Sequence, residues 1–301
     1  MYDIIVIGGG PAGLTAAIYA LRADKKVLVI EKETFGGQIT FSPKVENIPG
    51  FVSLSGNEFA EKLVEQALEQ GAEVESLEVL SIENGDIKKV ITDDGVFHSK
   101  AVIVATGAKH RVLGLENEEN FIGDGISFCA VCDGAFYKDS TVAVVGGGNS
   151  ALQEALLLSK LCKKVYIVQN LEFLTGEKKL AEQVYETENI EVLLGNVVSA
   201  YLGDETLKGI VIKNQNEERE LVVDGVFLAV GLAPQNEPFK ELIELDERGY
   251  AVSNEGCTTK TNGIFVAGDC RTKTVRQVAT AAADGAIAAL AAVEYLDTVK
   301  N

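Results

Sequence analysis

The strongest constraint on this chain is that it contains one structural unit twice. Sliding the sequence by 138 residues lays IIVIGGGPAGLTAAIYALRADKKVLVIE, Ile4 to Glu31, on VAVVGGGNSALQEALLLSKLCKKVYIVQ, Val142 to Gln169, without a gap. Each copy reads as an apolar strand, a glycine-rich turn, a helix and a second apolar strand. The helices repeat at helical spacing, through Leu14, Ala17, Ile18 and Leu21 in one copy and Leu152, Ala155, Leu156 and Ser159 in the other. A strand, a helix and a returning strand of this length form a βαβ unit, and two such units predict two doubly wound domains. A chain of 301 residues is long enough to hold both.

The segments downstream of each unit also repeat. After the first comes SGNEFAEKLVEQALEQG, a helix with a capping box from Ser55 and Glu58 and a stop at Gly71. Residues 73 to 100 read as short β-strands with a turn at Asp93 to Gly95, and AVIVATGA returns as a buried strand. After the second unit come short strands near 190 to 223 and then GVFLAVGLAP. The last segment, GIFVAGD with its alanine-rich helix, has no counterpart in the second half and is read as completing the first domain. The expected fold is α/β, with two Rossmann-like, three-layer ββα dinucleotide-binding domains, the second inserted in the first. The boundaries read as 1–112 plus 239–301 for the first domain and 113–238 for the second, with LAPQNEP as a linker.

Charge narrows the range of partners. Acidic residues number 45 against 27 basic ones, a net charge of −18, which repels phosphate backbones and anionic lipid. The N-terminus reads as a strand and not as a signal peptide. No uninterrupted apolar run reaches the roughly 18 residues of a membrane span, and the alanine-rich tail carries Asp284 and Glu294. Five scattered cysteines, an odd number, point to a reducing compartment, so a cytoplasmic protein is expected, without a nucleic-acid or membrane partner.

The first glycine loop is Gly8-x-Gly10-Pro11-Ala12-Gly13, with Glu31 eighteen residues after Gly13. Gly8 permits the tight turn, Gly10 lets backbone approach a pyrophosphate, and Gly13 lets helix and strand pack closely. The helix N-terminus stabilises the phosphate charge, and Glu31 accepts from ribose hydroxyls. The bland alternative is a set of turn glycines with a solvated Glu31. Between the units lies FCAVCDGAF, Phe128 to Phe136. Cys129 and Cys132 can form a disulfide, share a metal or simply be buried. A metal site needs two further ligands, and no second CxxC exists, while the only histidines are His98 and His110. A redox pair is favoured, because Asp133 follows directly and can move the proton that thiol exchange requires.

These motifs, in order, resemble the bacterial, low-molecular-weight thioredoxin reductases from end to end. They are GGGPAG at Gly8, GGQ at Gly36 to Gln38, VENIPG at Val45 to Gly50, ATGA at Ala105 to Ala108 and CAVCDG at Cys129 to Gly134. GGGNSA at Gly146, AGD at Ala267 to Asp269 and RQ at Arg276-Gln277 complete the set. The resemblance implies FAD in the first domain. Glu31 would hold the adenosine ribose. Gly36, Gly37, Gln38, Asn47, Ala105, Thr106 and Gly107 would line the cofactor. Gly268-Asp269 would meet the ribityl chain, and Arg276-Gln277 the flavin ring. It implies that Cys132 faces the flavin, that Cys129 attacks the disulfide of thioredoxin, and that Asp133 is the acid or base. It also implies a homodimer whose cysteine domain rotates between two orientations.

One stretch departs from that pattern. The second glycine loop survives as Gly146-x-Gly148-Asn149-Ser150-Ala151, but Gln169 stands at the ribose position, where the repeat places Glu31 in the first copy. NADPH-using members carry histidine and two arginines here, with another arginine four residues on; this chain has Gln169, Asn170, Leu171 and Thr175. Losing two or three charge-assisted contacts of about 1.5–3 kcal/mol each weakens NADPH by several orders of magnitude. The expectation is therefore a vestigial or weak nucleotide site and a donor other than NADPH. Ferredoxin is favoured, as in the ferredoxin-linked branch of these reductases. Weak NADH or NADPH use through the surviving loop is one alternative, and a non-enzymatic flavin redox sensor is another. Lys109, His110, Arg111, Arg271 and Lys273 are candidates for a basic docking patch, against the plainer reading of a solvated rim. Cys162, Cys257 and Cys270 are read as structural, with Cys270 next to the Gly268-Asp269 motif.

Overall fold

A computed structural model describes residues 1–42, 45–215 and 217–299. The chain forms two compact units, Met1–Lys109 with Ala233–Asn301, and His110–Leu232. The crossings thus precede the expected ones at 112/113 and 238/239. The proline-bearing linker also contains a strand: Leu232–Pro234 pairs with Ala108–His110, so the two chain crossings are joined by backbone hydrogen bonds.

In the first unit Tyr2–Ile7 pairs in parallel with Val27–Glu31 on one side and with Gly95–Val104 on the other. Glu73–Ser76 extends the sheet beyond Val27–Glu31. The ten-residue strand Gly95–Val104 has two roles. Its first half pairs antiparallel with Lys88–Thr92, which pairs with Val79–Glu83. Its second half takes Ile264–Val266 in parallel, so the C-terminal segment completes this sheet. Ile4, Ile5 and Val6 are fully buried, as an unbroken apolar run demands when both faces of a parallel sheet are covered. The helix Gly56–Glu69 starts at Ser55, whose Oγ accepts the Glu58 N–H at 3.0 Å, and stops where Gly71 adopts φ +95°.

The last helix, Val278–Val299, is by length and composition apolar enough to cross a membrane. Here it is a core element: Ala288, Ala289 and Ala292 are fully buried in one cluster with Ala16, Ala17 and Ala20 of the helix Pro11–Arg22. Small residues let these two helices approach closely.

The second unit repeats the plan. Its parallel sheet runs Ile190–Leu194, Lys164–Gln169, Thr141–Val145, Gly225–Leu228 and Ile126–Ser127. Its antiparallel layer, Val197–Leu202, Gly209–Lys213 and Glu218–Leu221, forms a separate sheet and does not extend the parallel one as in the first unit.

Candidate active site

The first glycine loop is pressed against its own scaffold. Gly8 has φ +109°, and a Cβ there would lie 2.3 Å from the Ala105 carbonyl oxygen. A Cβ on Gly13 would lie 1.8 Å from the Gly8 oxygen. Only glycine allows either approach. Gly10 is different: the nearest atoms to a Cβ there are 3.9 Å away, so this side of the loop is open. Gly36 N–H donates to Gly9 O at 2.8 Å, which draws Gly36-Gly37 alongside the loop. Glu31 accepts from the N–H groups of Gly9 at 2.7 Å and Glu33 at 2.8 Å, so its carboxylate is fixed at the loop's edge. Pro11 and Ala12 open the helix, and Gly268 sits against Ala12.

Asn47 donates to Gln277 at 3.1 Å, which unites two motifs 230 residues apart. Gln38 lies in the short helical turn Gly37–Phe41. Thr106 donates to Asn236 at 3.3 Å, and Gly107 has φ +67°. Asp269 is half-buried, its Oδ1 is buried without a partner, and desolvation pushes its carboxyl upward. A buried acceptor without a partner beside an open glycine loop is what a polyhydroxyl, phosphate-bearing group such as FAD completes. Arg276 is held in place by donating to the carbonyls of Asp269, Lys273 and Arg271 while it covers the Tyr250 ring at 4.2 Å.

Cys129 and Cys132 form a disulfide, with Cα atoms 5.3 Å apart. Cys129 caps the single turn Ala130–Asp133. Both sulfurs are thereby joined to each other, and the metal-sharing and merely buried readings fall away. Burial raises the Asp133 carboxyl, and a hydrogen bond from Ser127 opposes that rise. Val131 and Phe136, on either side of the turn, stay 66% and 42% exposed, so the redox turn is flanked by apolar surface.

The second glycine loop keeps the backbone of the first. Gly146 has φ +130°, and a Cβ there would lie 2.6 Å from Ala229 O, as Gly8 does against Ala105. Thr175 and Gly176 donate to Gly147 O at 2.8 and 2.9 Å, the counterpart of Gly36 on Gly9. Gly148 remains open, with its nearest neighbour 3.8 Å away, and Ala151 replaces the third glycine. The side chains differ. Gln169 is 4% exposed, lies beneath Gly147, and donates its amide to Phe173 O at 3.2 Å. Asn149, the first helical residue, exchanges two hydrogen bonds with Glu177, at 2.7 and 3.1 Å. Asn170, Leu171 and Thr175 carry no charge, and Ser150 is exposed beside them.

The five candidate cations, read more readily as a solvated rim than as a docking patch, are mostly engaged within the protein. Arg271 donates to Asp284 through two nitrogens at 2.8 Å, Lys273 joins it at 2.9 Å, and the Gly268 N–H adds a fourth contact at 3.1 Å. Both cations are largely buried and hold Asp284 below the usual carboxylate range. Lys109 pairs with Glu33, and His110 stacks on Phe128 at 4.6 Å, where burial lowers it to about 4 and keeps it neutral. Four of the five candidates are therefore engaged or uncharged. Cys162, Cys257 and Cys270 are buried free thiols pushed up to about 11 by burial, which suits structural roles. Sequence reasoning missed Ser127; its only trace is one small polar residue at the end of a short apolar strand.

Residues 2–285 match the family described as pyridine nucleotide-disulphide oxidoreductase. The chain belongs to that family. It is an FAD-dependent disulfide oxidoreductase. It is 40% identical over 304 residues to a thioredoxin reductase of Treponema pallidum, covering all of this chain and 99% of that one. It is 39% identical over 298 residues to a 34.2 kDa protein in the rubredoxin operon of Clostridium pasteurianum, covering 98% and 97%. Among solved structures, the thioredoxin reductase from Streptococcus pyogenes superposes with a TM-score of 0.94 at 39% identity over 99% of both chains.

Proposed function

We propose that this oxidoreductase reduces thioredoxin through Cys129–Cys132, with electrons reaching bound FAD from ferredoxin or a similar small iron–sulfur protein and not from NADPH. Thioredoxin as substrate follows the activity named for the Treponema and Streptococcus relatives. FAD supplies two-electron reduction of the disulfide when bound. Gly8, Gly10, Pro11, Ala12, Gly13 and Glu31 would hold its adenosine diphosphate. Gly36, Gly37, Gln38, Asn47, Ala105, Thr106, Gly107, Gly268, Asp269, Arg276 and Gln277 would hold the remainder. Cys129 attacks thioredoxin, Cys132 resolves the mixed disulfide, and Asp133 moves the proton. A homodimer in the cytoplasm is the working assembly.

One observation carries the choice of donor. Where a 2′-phosphate would be gripped, Gln169 is turned into the protein with its amide on Phe173 O, and Asn170, Leu171 and Thr175 offer no cation. The Clostridium relative, named for its place in a rubredoxin operon, supports a redox context of small iron proteins. Docking is not carried by the Lys109–Lys273 set, since most of those cations are engaged. A second reading rests on the open Gly146–Ala151 loop, which keeps the floor of a nucleotide site and permits weak NADH or NADPH use.

An anaerobic thioredoxin-reduction assay tests the proposal. Chemically reduced ferredoxin supports turnover, and NADPH or NADH at micromolar concentration gives little. Cys129→Ser and Cys132→Ser retain FAD and lose turnover. Equal or faster turnover with NADPH rejects the donor assignment, and turnover by Cys129→Ser rejects the thiol roles.

A further inference from the structure

The hydroxyl of Ser127 touches both halves of the redox turn. It donates to Asp133 Oδ2 at 2.6 Å and accepts the Cys129 N–H at 3.1 Å. Ser127 ends the short strand Ile126–Ser127, is 5% exposed, and is anchored by Phe227 in the neighbouring strand. A serine hydroxyl has one proton to give, and here it goes to the carboxyl. The other carboxyl oxygen, Asp133 Oδ1, is buried without a partner.

The titratable groups around Asp133 are Cys129 and Cys132 on its own turn and Tyr137 on the next, and the charges of Asp124 and Asp224 also act on Tyr137. Glu154 lies on Asn149–Leu158, the helix packed against the redox turn. Burial pushes Tyr137 up to about 12 and Glu154 up to about 8.

We propose that Ser127 is the positioning residue for proton transfer at this disulfide: its O–H on Oδ2 leaves Oδ1 as the proton-exchanging oxygen, and its bond to the Cys129 N–H ties that carboxyl to the attacking cysteine. This rests on reading Asp133 as the acid or base. In the reduced enzyme the Cys129 thiol proton passes to Oδ1, and the thiolate forms a bond to one sulfur of the substrate disulfide. The substrate S–S bond breaks, and its departing sulfur takes the proton back from Oδ1. Cys132 then attacks the Cys129 sulfur, and its own proton accompanies the second substrate sulfur. The enzyme dithiol has lost two electrons and two protons, and the substrate has gained them. An O–H donated to a carboxylate favours the ionised form, so Ser127 opposes the effect of burial and makes Oδ1 basic at a lower pH.

The test is the pH dependence of iodoacetamide alkylation of the reduced, FAD-loaded enzyme, with thioredoxin turnover followed in parallel. Ser127→Ala moves the acid limb of both profiles upward by about one pH unit, a roughly tenfold loss of rate on that limb. Ser127→Thr keeps a hydroxyl and stays near the parent. Ser127→Val, nearly the same shape as threonine, shifts like alanine and serves if the alanine variant does not hold flavin. Asp133→Asn removes the carboxyl limb from turnover and leaves only thiol ionisation in alkylation, alone and combined with Ser127→Ala. If Asp133→Asn does this and both Ser127→Ala and Ser127→Val leave the turnover limb at the parent pH, the role of Ser127 is refuted and that of Asp133 stands. A turnover limb that stays at the parent pH in Asp133→Asn refutes both.

Discussion

The two glycine loops have one backbone and different side chains. In both, the first glycine backs onto a carbonyl of the returning strand, Ala105 O or Ala229 O, and the carbonyl after it receives N–H groups from the loop beyond the second strand. Where those second strands end, the first unit presents a carboxylate, Glu31, fixed on the N–H of Gly9. The second unit buries an amide, Gln169, that donates to its own loop. A repeated backbone therefore preserves the floor of a dinucleotide site, while a few side chains at the strand end decide whether anything is gripped there.

The largest expected effect breaks the first unit alone. Asp284→Ala leaves Arg271 and Lys273 buried without their carboxylate, at a cost of about 3–5 kcal/mol. Urea unfolding followed by flavin release and by far-UV signal should show the first unit melting early, with the second retained as a separate transition. Coincident early loss of both would show that the units do not behave independently.

Exchanging the third glycine position sharpens the contrast. Gly13→Ala forces helix from strand, because its Cβ would stand 1.8 Å from Gly8 O. Overpacking of that kind costs about 1–3 kcal/mol and should weaken FAD retention. The reverse change in the second unit, Ala151→Gly, costs only about 0.5–1 kcal/mol of helix stability and should not touch the flavin. Flavin content after gel filtration and thermal melts check the pair.

Glu31→Gln gives the first unit the residue type of the second. Replacing a charge-assisted acceptor with a neutral one should lower FAD affinity by about tenfold, on the order of 1.5 kcal/mol. Fluorescence titration of the apoprotein with FAD reads this directly. Unchanged affinity would mean that the strand-end carboxylate is not what separates the two loops.

The smallest effect is on pH. His110 in the second unit is held near 4, below its ordinary 6.5, so between these values the unfolded chain binds more protons than the folded one. Stability from this group falls as pH drops through that window, by roughly 1 kcal/mol at about pH 5.5. His110→Phe, which keeps the stack on Phe128, should flatten that part of the acid limb in urea midpoints measured across the window.

The features legible in the sequence are local and periodic. Both βαβ units come from a repeat at 138 residues, the Ser55 cap from a local pattern, and the return of the C-terminal segment to the first domain from its having no counterpart in the second half. The disulfide is one of several readings of two cysteines until the fold joins them. The contacts that escape such reading are chosen by tertiary geometry. Asp284 meets Arg271 and Lys273 only because the last helix folds over the Gly268 turn, so cations that look like surface charge become a buried cluster. Ser127 meets Asp133 across a single turn that no motif marks. The linker strand Leu232–Pro234 exists because Ala108–His110 lies beside it.

The central claim is that the second loop no longer admits an effective nicotinamide donor. Anaerobic stopped-flow mixing of the oxidised, FAD-loaded protein with NADPH, NADH or chemically reduced ferredoxin tests it through the flavin absorbance. The account predicts rapid bleaching by reduced ferredoxin and slow or negligible bleaching by micromolar NADPH. Fast, saturable bleaching by micromolar NADPH would contradict it and restore a working nucleotide clamp at Gln169 to Thr175.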